Sequence, residues 1–214
     1  MFCFETSFCS FCSTAEKVLE RMIRKGLKPN TITYNSLIDA CSKAPDVQRA
    51  EYWFGQMSAN GFPPDVISFS SMINSCAQCG MAAAAERWLS KMEDQGVKPN
   101  VYSFNAAINA QVKAKQLLDP VGWLRRMRDA DCRPTVVTYT TLCQPSAKSG
   151  DYRTVELLMA MLASDGFQQN HYCLAVRINA FTNATPSQYI SFQIIYIFDF
   201  FNSNLHFFNG QFEL

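Results

Sequence analysis

Between Tyr34 and Met57 the apolar residues fall into two stripes with a break between them. Tyr34, Leu37, Ile38 and Cys41 stand at i, i+3, i+4 and i+7, the spacing of one helical face, and Thr33 before them is a natural N-cap. Ala44, Pro45 and Asp46 then interrupt the pattern. Ala50, Trp53, Phe54 and Met57 make a second stripe, which stops ahead of Gly61, Pro63 and Pro64. The pattern predicts two helices joined by a tight turn.

The pattern returns downstream at a fixed interval. Trp53, Trp88 and Trp123 are 35 residues apart, as are Met22, Met57, Met92 and Met127. Pro29, Pro64, Pro99 and Pro134 keep the same step, and so do the aromatics Tyr34, Phe69, Phe104 and Tyr139. Glycine follows at Gly26, Gly61, Gly96 and Gly166, with Asp131 in the fourth place of the series. A fixed period of about 20 to 50 residues marks a repeat architecture. Residues 31–65, 66–100, 101–135 and 136–170 form four complete units. Residues 1–30 hold the second helix of an earlier hairpin with an atypical start, in which residues 1–13 occupy the place of a first helix without following its pattern. Residues 171–180 begin a fifth unit. A single hairpin cannot bury its own stripes, so the hairpins are expected to stack into an all-α solenoid with a continuous core. The tryptophan, methionine and aromatic series are expected to fill that core. Pro145 is expected to kink or shorten the first helix of the fourth unit. Pro120, near the start of its helix, is milder.

The run Thr33-Tyr34-Asn35-Ser36-Leu37-Ile38-Asp39-Ala40-Cys41, closing with Gly61-Phe62-Pro63-Pro64-Asp65, resembles the pentatricopeptide repeat family, and Gly96-Val97-Lys98-Pro99-Asn100 closes the second unit in the same way. The resemblance covers residues 14 to about 180, and the period of 35 separates it from the 34-residue tetratricopeptide pattern. It implies a right-handed α-solenoid of helix-turn-helix hairpins that binds single-stranded RNA with one base per repeat. It also implies a place in mitochondria or plastids, in RNA stability, processing or translation.

In that family the fifth and last residues of each repeat read the base. Here the pairs are Asn35 with Asp65, Ser70 with Asn100, Asn105 with Thr135, and Thr140 with Asn170. By resemblance they favour U, A, a pyrimidine and A, from N- to C-terminus. All eight are small and polar, as reaching a base edge from the start of a helix requires. The second position, which sandwiches bases in the family, carries Ile32, Ile67, Tyr102 and Val137. The thirteenth, which faces phosphate, carries Lys43, Lys113 and Lys148, with Gln78 as the exception. The alternative reading is a scaffold that grips a peptide or partner helix. Such a groove calls for large and varied side chains where Asn35, Ser70, Asn105 and Thr140 stand.

Charge and composition sharpen this picture. With 19 Lys and Arg against 18 Asp and Glu in 214 residues, the chain is not a strongly basic nucleic-acid binder. Residues 31–170 carry 13 basic and 13 acidic side chains, so any phosphate track depends on placement. Nine cysteines, an odd number in a mid-sized chain, argue against a disulfide scaffold and for a reducing compartment. Cys9 with Cys12, and Cys76 with Cys79, have metal-ligand spacing. Cys41 and Cys76, however, share one small apolar repeat position and read as packing residues, so no metal or other cofactor is expected. His171 and His206 do not begin the H-x-E of a zinc deaminase, and no phosphate loop or catalytic triad is present, which argues against an enzyme. No apolar run reaches the roughly 18 to 20 residues of a membrane span, and no arginine-rich leader stands at the start. Residues 181–214 lack Lys and Arg, hold 8 of the 17 phenylalanines and lose the period, as expected of a non-repeat tail of foreign origin. A monomer is expected.

Overall fold

A computed structural model of the chain describes residues 9–184, with side chains from Cys12 onward. The expectations for residues 1–8 and for the tail beyond 184 lie outside the described residues. Ten α-helices account for nearly all of the described chain: α1 (Cys9–Arg24), α2 (Thr31–Lys43), α3 (Val47–Ala59), α4 (Val66–Gln78), α5 (Ala82–Asp94), α6 (Val101–Lys113), α7 (Pro120–Asp129), α8 (Val136–Ser149), α9 (Tyr152–Ser164) and α10 (His171–Asn183). The described residues divide into two compact units between Leu142 and Cys143, inside α8.

Each first helix starts from a cap that recurs at the last position of the preceding repeat. Asn30, Asp65 and Asn100 accept hydrogen bonds from the backbone N–H three residues on, and the hydroxyls of Thr33, Ser68 and Ser103 accept from the cap residues' own N–H groups. These are capping boxes closed by a hydroxyl. Thr33 is therefore not the N-cap of α2 but its third residue. The helix begins at Thr31 because Asn30 has extended backbone and a side chain of the right length to bond Thr33 N at 3.0 Å.

Each second helix ends alike. Gly61 N donates to Ser58 O and Phe62 N to Met57 O, a pair repeated at Gly96 and Val97, and at Asp131 and Cys132. This is the Schellman closure, whose turning residue takes the left-handed conformation. That explains two of the periodicities: methionine occupies the buried position three residues before the cap, and glycine makes the turn. Asp131 makes the same turn at φ 54°, with its carboxylate 2.7 Å from Lys98 Nζ.

In the first unit α2, α4 and α6 pack side by side, with α3 and α5 closing hairpins against them. Leu37, Ile38, Phe69, Met72, Ile73, Phe104 and Ile108 meet Phe54, Met57, Leu89, Met92, Leu124 and Met127 in a buried core. In the second unit Val155, Leu158 and Leu162 of α9 are buried with Cys173 and Ala180 of α10, and Arg177 clamps Glu156 at 2.7 and 3.0 Å.

Two further expectations change, those for the tryptophans and for Pro145. The tryptophans are half-buried, not core. Their indoles lie at the edge, where Trp53 Nε1 donates to Glu16 at 3.2 Å, Lys91 sits 4.5 Å over Trp88, and Arg126 lies 5.4 Å from Trp123. A large ring with a polar N–H is better placed at a wet margin than inside. Pro145 does not shorten α8, which runs 14 residues against 13 for α6. Leu142, Cys143 and Ala147 around it are buried, and that burial outweighs one missing backbone bond. Residues 9–13 are the opening residues of α1. The fifth unit's helix continues to Asn183, held by Phe181 against Tyr152 at 5.8 Å and by Asn183 Nδ2 donating to Ala147 O at 3.0 Å. Pro120 opens α7 as its first residue after the cap Asp119.

Candidate functional site

The first turns of α2, α4 and α6 place their second residues outward. Ile32 is 73% exposed, Ile67 60% and Tyr102 55%, and Val137 on α8 is 61% exposed. Tyr172 of the second unit, 35 residues beyond Val137, holds the same repeat position and is likewise exposed. Large apolar side chains left in water at a constant interval are not explained by the core.

Ile32, Ile67 and Tyr102 flank a groove of about 440 Å³ whose floor carries Asn35, Ser70, Ser71 and Asn100, with Ser36 and Asp39 on one side. Asn35 and Ser70 are buried by their neighbours yet line this groove. Asn105 and Thr140 are half-buried on the corresponding turns of α6 and α8, and Thr140 Oγ1 donates to Val137 O at 3.1 Å. The structure brings Asn35 and Asp65 into direct contact: Asn35 Nδ2 donates to the Asp65 carboxylate at 3.1 and 3.3 Å. Asp65, Asn100, Thr135 and Asn170 all bond the first turn of the helix that follows them.

Burial pushes the Asp65 carboxyl up, but hydrogen bonds from Ser68 N–H, Ser68 Oγ, Asn35 and the Ile67 backbone outweigh it and hold the carboxyl below its usual range. Asp65 is thus an anion and accepts only. Ser70 Oγ, by contrast, is buried without a hydrogen-bond partner on the groove floor. An unpaired buried hydroxyl costs stability unless something else meets it.

The three lysines differ in their surroundings. Lys43 Nζ lies 2.7 Å from Asp39, one turn earlier on α2. Lys113 Nζ donates to Gln78 Oε1 at 2.9 Å, so the one glutamine in the series receives its neighbour's cation. Lys148 is exposed. The cysteine pair of metal-ligand spacing is split: Cys76 is in the core, where burial pushes its thiol up to about 11, and Cys79 is exposed at the helix end with Sγ 3.2 Å from Pro45 O. A thiol kept protonated is a poor ligand.

The PPR repeat family matches at residues 13–43, 29–78 and 64–113, in step with the helical hairpins just described. Residues 13–113 carry pentatricopeptide repeats. Among solved structures it is similar to the PPR domain of Arabidopsis thaliana protein-only RNase P 1 in complex with tRNA, with a TM-score of 0.65, 16% identity, and coverage of 79% of this chain and 89% of that one. Nuclear proteinaceous RNase P 2 from A. thaliana gives a TM-score of 0.66 at 16% identity, over 79% of this chain and 38% of that one. The pentatricopeptide repeat protein PPR10 from maize gives 0.52 at 15% identity, over 82% and 35%. At these identities the likeness is one of fold, and the repeat array spans little more than a third of the latter two chains. No curated protein matches at the level of sequence.

Two features of the site are visible only in the structure. The last residue of each repeat caps the next helix, although the apolar stripe points to Thr33 as the cap. The hydroxyl series Thr33, Ser68, Ser103 and Thr138, also 35 residues apart, was legible as a period but not as a set of contacts to the preceding repeat.

Proposed function

We propose that the array binds single-stranded RNA along the first turns of α2, α4, α6 and α8, one base per repeat. Bases stack between Ile32, Ile67, Tyr102 and Val137, while Asn35 with Asp65, Ser70 with Asn100, Asn105 with Thr135, and Thr140 with Asn170 meet their edges. The observation that carries this reading is the groove itself: exposed apolar side chains at a repeat interval over a floor of small polar groups, one of them an unpartnered hydroxyl. Stacking contributes about 1 to 3 kcal/mol per base and tolerates any base, so the polar floor carries the choice. Lys113 and Lys148 meet phosphate. The chain acts as a non-catalytic binder in organellar RNA stability, processing or translation.

The test is a fluorescence anisotropy titration of the full chain with single-stranded RNAs carrying U-A-pyrimidine-A, permuted cores, and the corresponding duplex. The single-stranded U-A-pyrimidine-A core is expected to bind best, and Ser70→Asn to move the second base from purine towards pyrimidine. Equal binding of all cores, or preference for the duplex, overturns the reading.

A further inference from the structure

An asparagine reader is ambiguous in principle, because its amide offers a donor on one side and an acceptor on the other. In the first repeat that ambiguity is removed. Asp65 accepts only, so the amide nitrogen of Asn35 must face it, as the contacts at 3.1 and 3.3 Å require. The amide oxygen then faces Ser68, whose Oγ donates to it at 2.6 Å. Ser68 Oγ also lies 2.9 Å from Asp65 Oδ1, so its one proton is shared between two acceptors, with the shorter contact to Asn35. Asp65 is already supplied by Ser68 N at 2.9 Å and by Asn35.

The third repeat repeats the contact: Thr138 Oγ1 donates to Asn105 Oδ1 at 2.8 Å. The second repeat does not. Its reader is Ser70, and there the equivalent hydroxyl, Ser103 Oγ, turns back to its own cap residue, Asn100 O, at 2.8 Å, leaving Ser70 Oγ unpartnered. Hydroxyls at one repeat position therefore cap their helices in every case but reach the preceding reader only where that reader is asparagine.

We propose that Ser68 and Thr138 are positioning residues for base choice: each pins the reader's amide oxygen inward, so that an N–H faces the bound base. This rests on Asn35 and Asn105 being readers. An outward N–H suits a base with a carbonyl at the contacted edge and rejects one with an amino group there, which separates uracil from cytosine. At Asn35, Asp65 and Ser68 act together, and one amide N–H remains for the base.

The experiment compares Ser68→Ala with Ser103→Ala in the full chain. Both lose a capping hydroxyl, but only that of Ser68 touches the side chain of a fifth-position reader, Asn35; that of Ser103 meets only the backbone of Asn100. Each protein is titrated with single-stranded RNAs that carry U or C at the first base, and A or G at the second. Ser68→Ala is expected to lower the U-over-C ratio at the first base about three- to tenfold, the order of one neutral hydrogen bond. Ser103→Ala is expected to leave the ratio at both bases unchanged, and Ser68→Thr, which restores the hydroxyl as at Thr138, to recover the parent ratio. Ser68→Cys, near in size but a weak donor, provides the same comparison if the alanine variant does not fold. An unchanged U-over-C ratio in both Ser68→Ala and Ser68→Cys, or an equal loss in Ser103→Ala, overturns the positioning role while leaving Asn35 as reader. A parent protein with no preference at the first base overturns the reader assignment itself, and the positioning role with it.

Discussion

Asp39 stands in the wrong place for a surface proposed to meet phosphate. It lines the groove and holds Lys43 at 2.7 Å, so the first lysine of the series is spent within its own helix. Asp39→Asn is expected to tighten RNA binding and to steepen its dependence on salt by about 0.7 in the log–log slope, the amount for one phosphate contact on a single strand. Titrations at several salt concentrations check this, and a parallel shift without a change of slope speaks against it. Asp65 gives a second prediction through its proton. Its folded carboxyl titrates below the ordinary range, so it contributes stability above the unfolded value near pH 4, and that contribution is lost as pH falls through the folded value. Asp65→Asn is expected to flatten the acid side of the stability profile, measured as the urea midpoint from pH 7 down to pH 3. The sequence displayed both carboxylates and their repeat positions. It did not display their partners: Lys43 lies one helical turn away, but Asn35 is thirty positions from Asp65, and only the stacking of α4 on α2 brings them together.

The helices are bounded by local chemistry, which is why their ends were largely readable. Asp46, Asp119 and Asp151 cap the second helices, and the glycine and proline series closes them. What remained hidden were left-handed turns between the two helices of a hairpin, at Gly80, Lys115 and Gly150, with φ of 66°, 56° and 76°. These recur every 35 residues, yet lysine at one of them broke the glycine pattern that would have marked them. Gly150 is the most constrained. A Cβ there would lie 2.3 Å from the backbone oxygen of Asn183, whereas one at Gly96, at φ 72°, meets nothing. Gly96→Ala is expected to cost about 1 kcal/mol from its backbone conformation. Gly150→Ala is expected to cost at least about 2 kcal/mol, because the steric conflict adds to the same term. Urea midpoints at constant m-value separate the two.

A stacked array is stabilised by each hairpin and its interface with the next, so whole repeats are exchangeable units where partial ones are not. Removing residues 66–100 joins Asp65 to Val101 and gives α6 an aspartate cap in place of Asn100, with Ser103 still three residues on. This deletion is expected to fold with a cooperative but lower melting transition and to shorten the bound RNA core by one base. A deletion of half that length is expected to aggregate, since it puts an apolar stripe against a polar one. Circular dichroism melts and size-exclusion chromatography distinguish these outcomes.

Period, helix type and hairpin pairing could all be read along the chain, because a stripe of apolar residues, a cap and a turn are properties of neighbours within a few residues; the outward apolar positions came only with the family resemblance. The direction in which Asn35 presents its amide, the reach of Ser68 and Thr138 to the preceding reader, and the half-buried station of the tryptophans could not. Those depend on groups some 30 to 37 positions apart, such as Asp65 and Ser68 with Asn35 and Trp53 with Glu16, whose meeting is set by how one helix packs on the next.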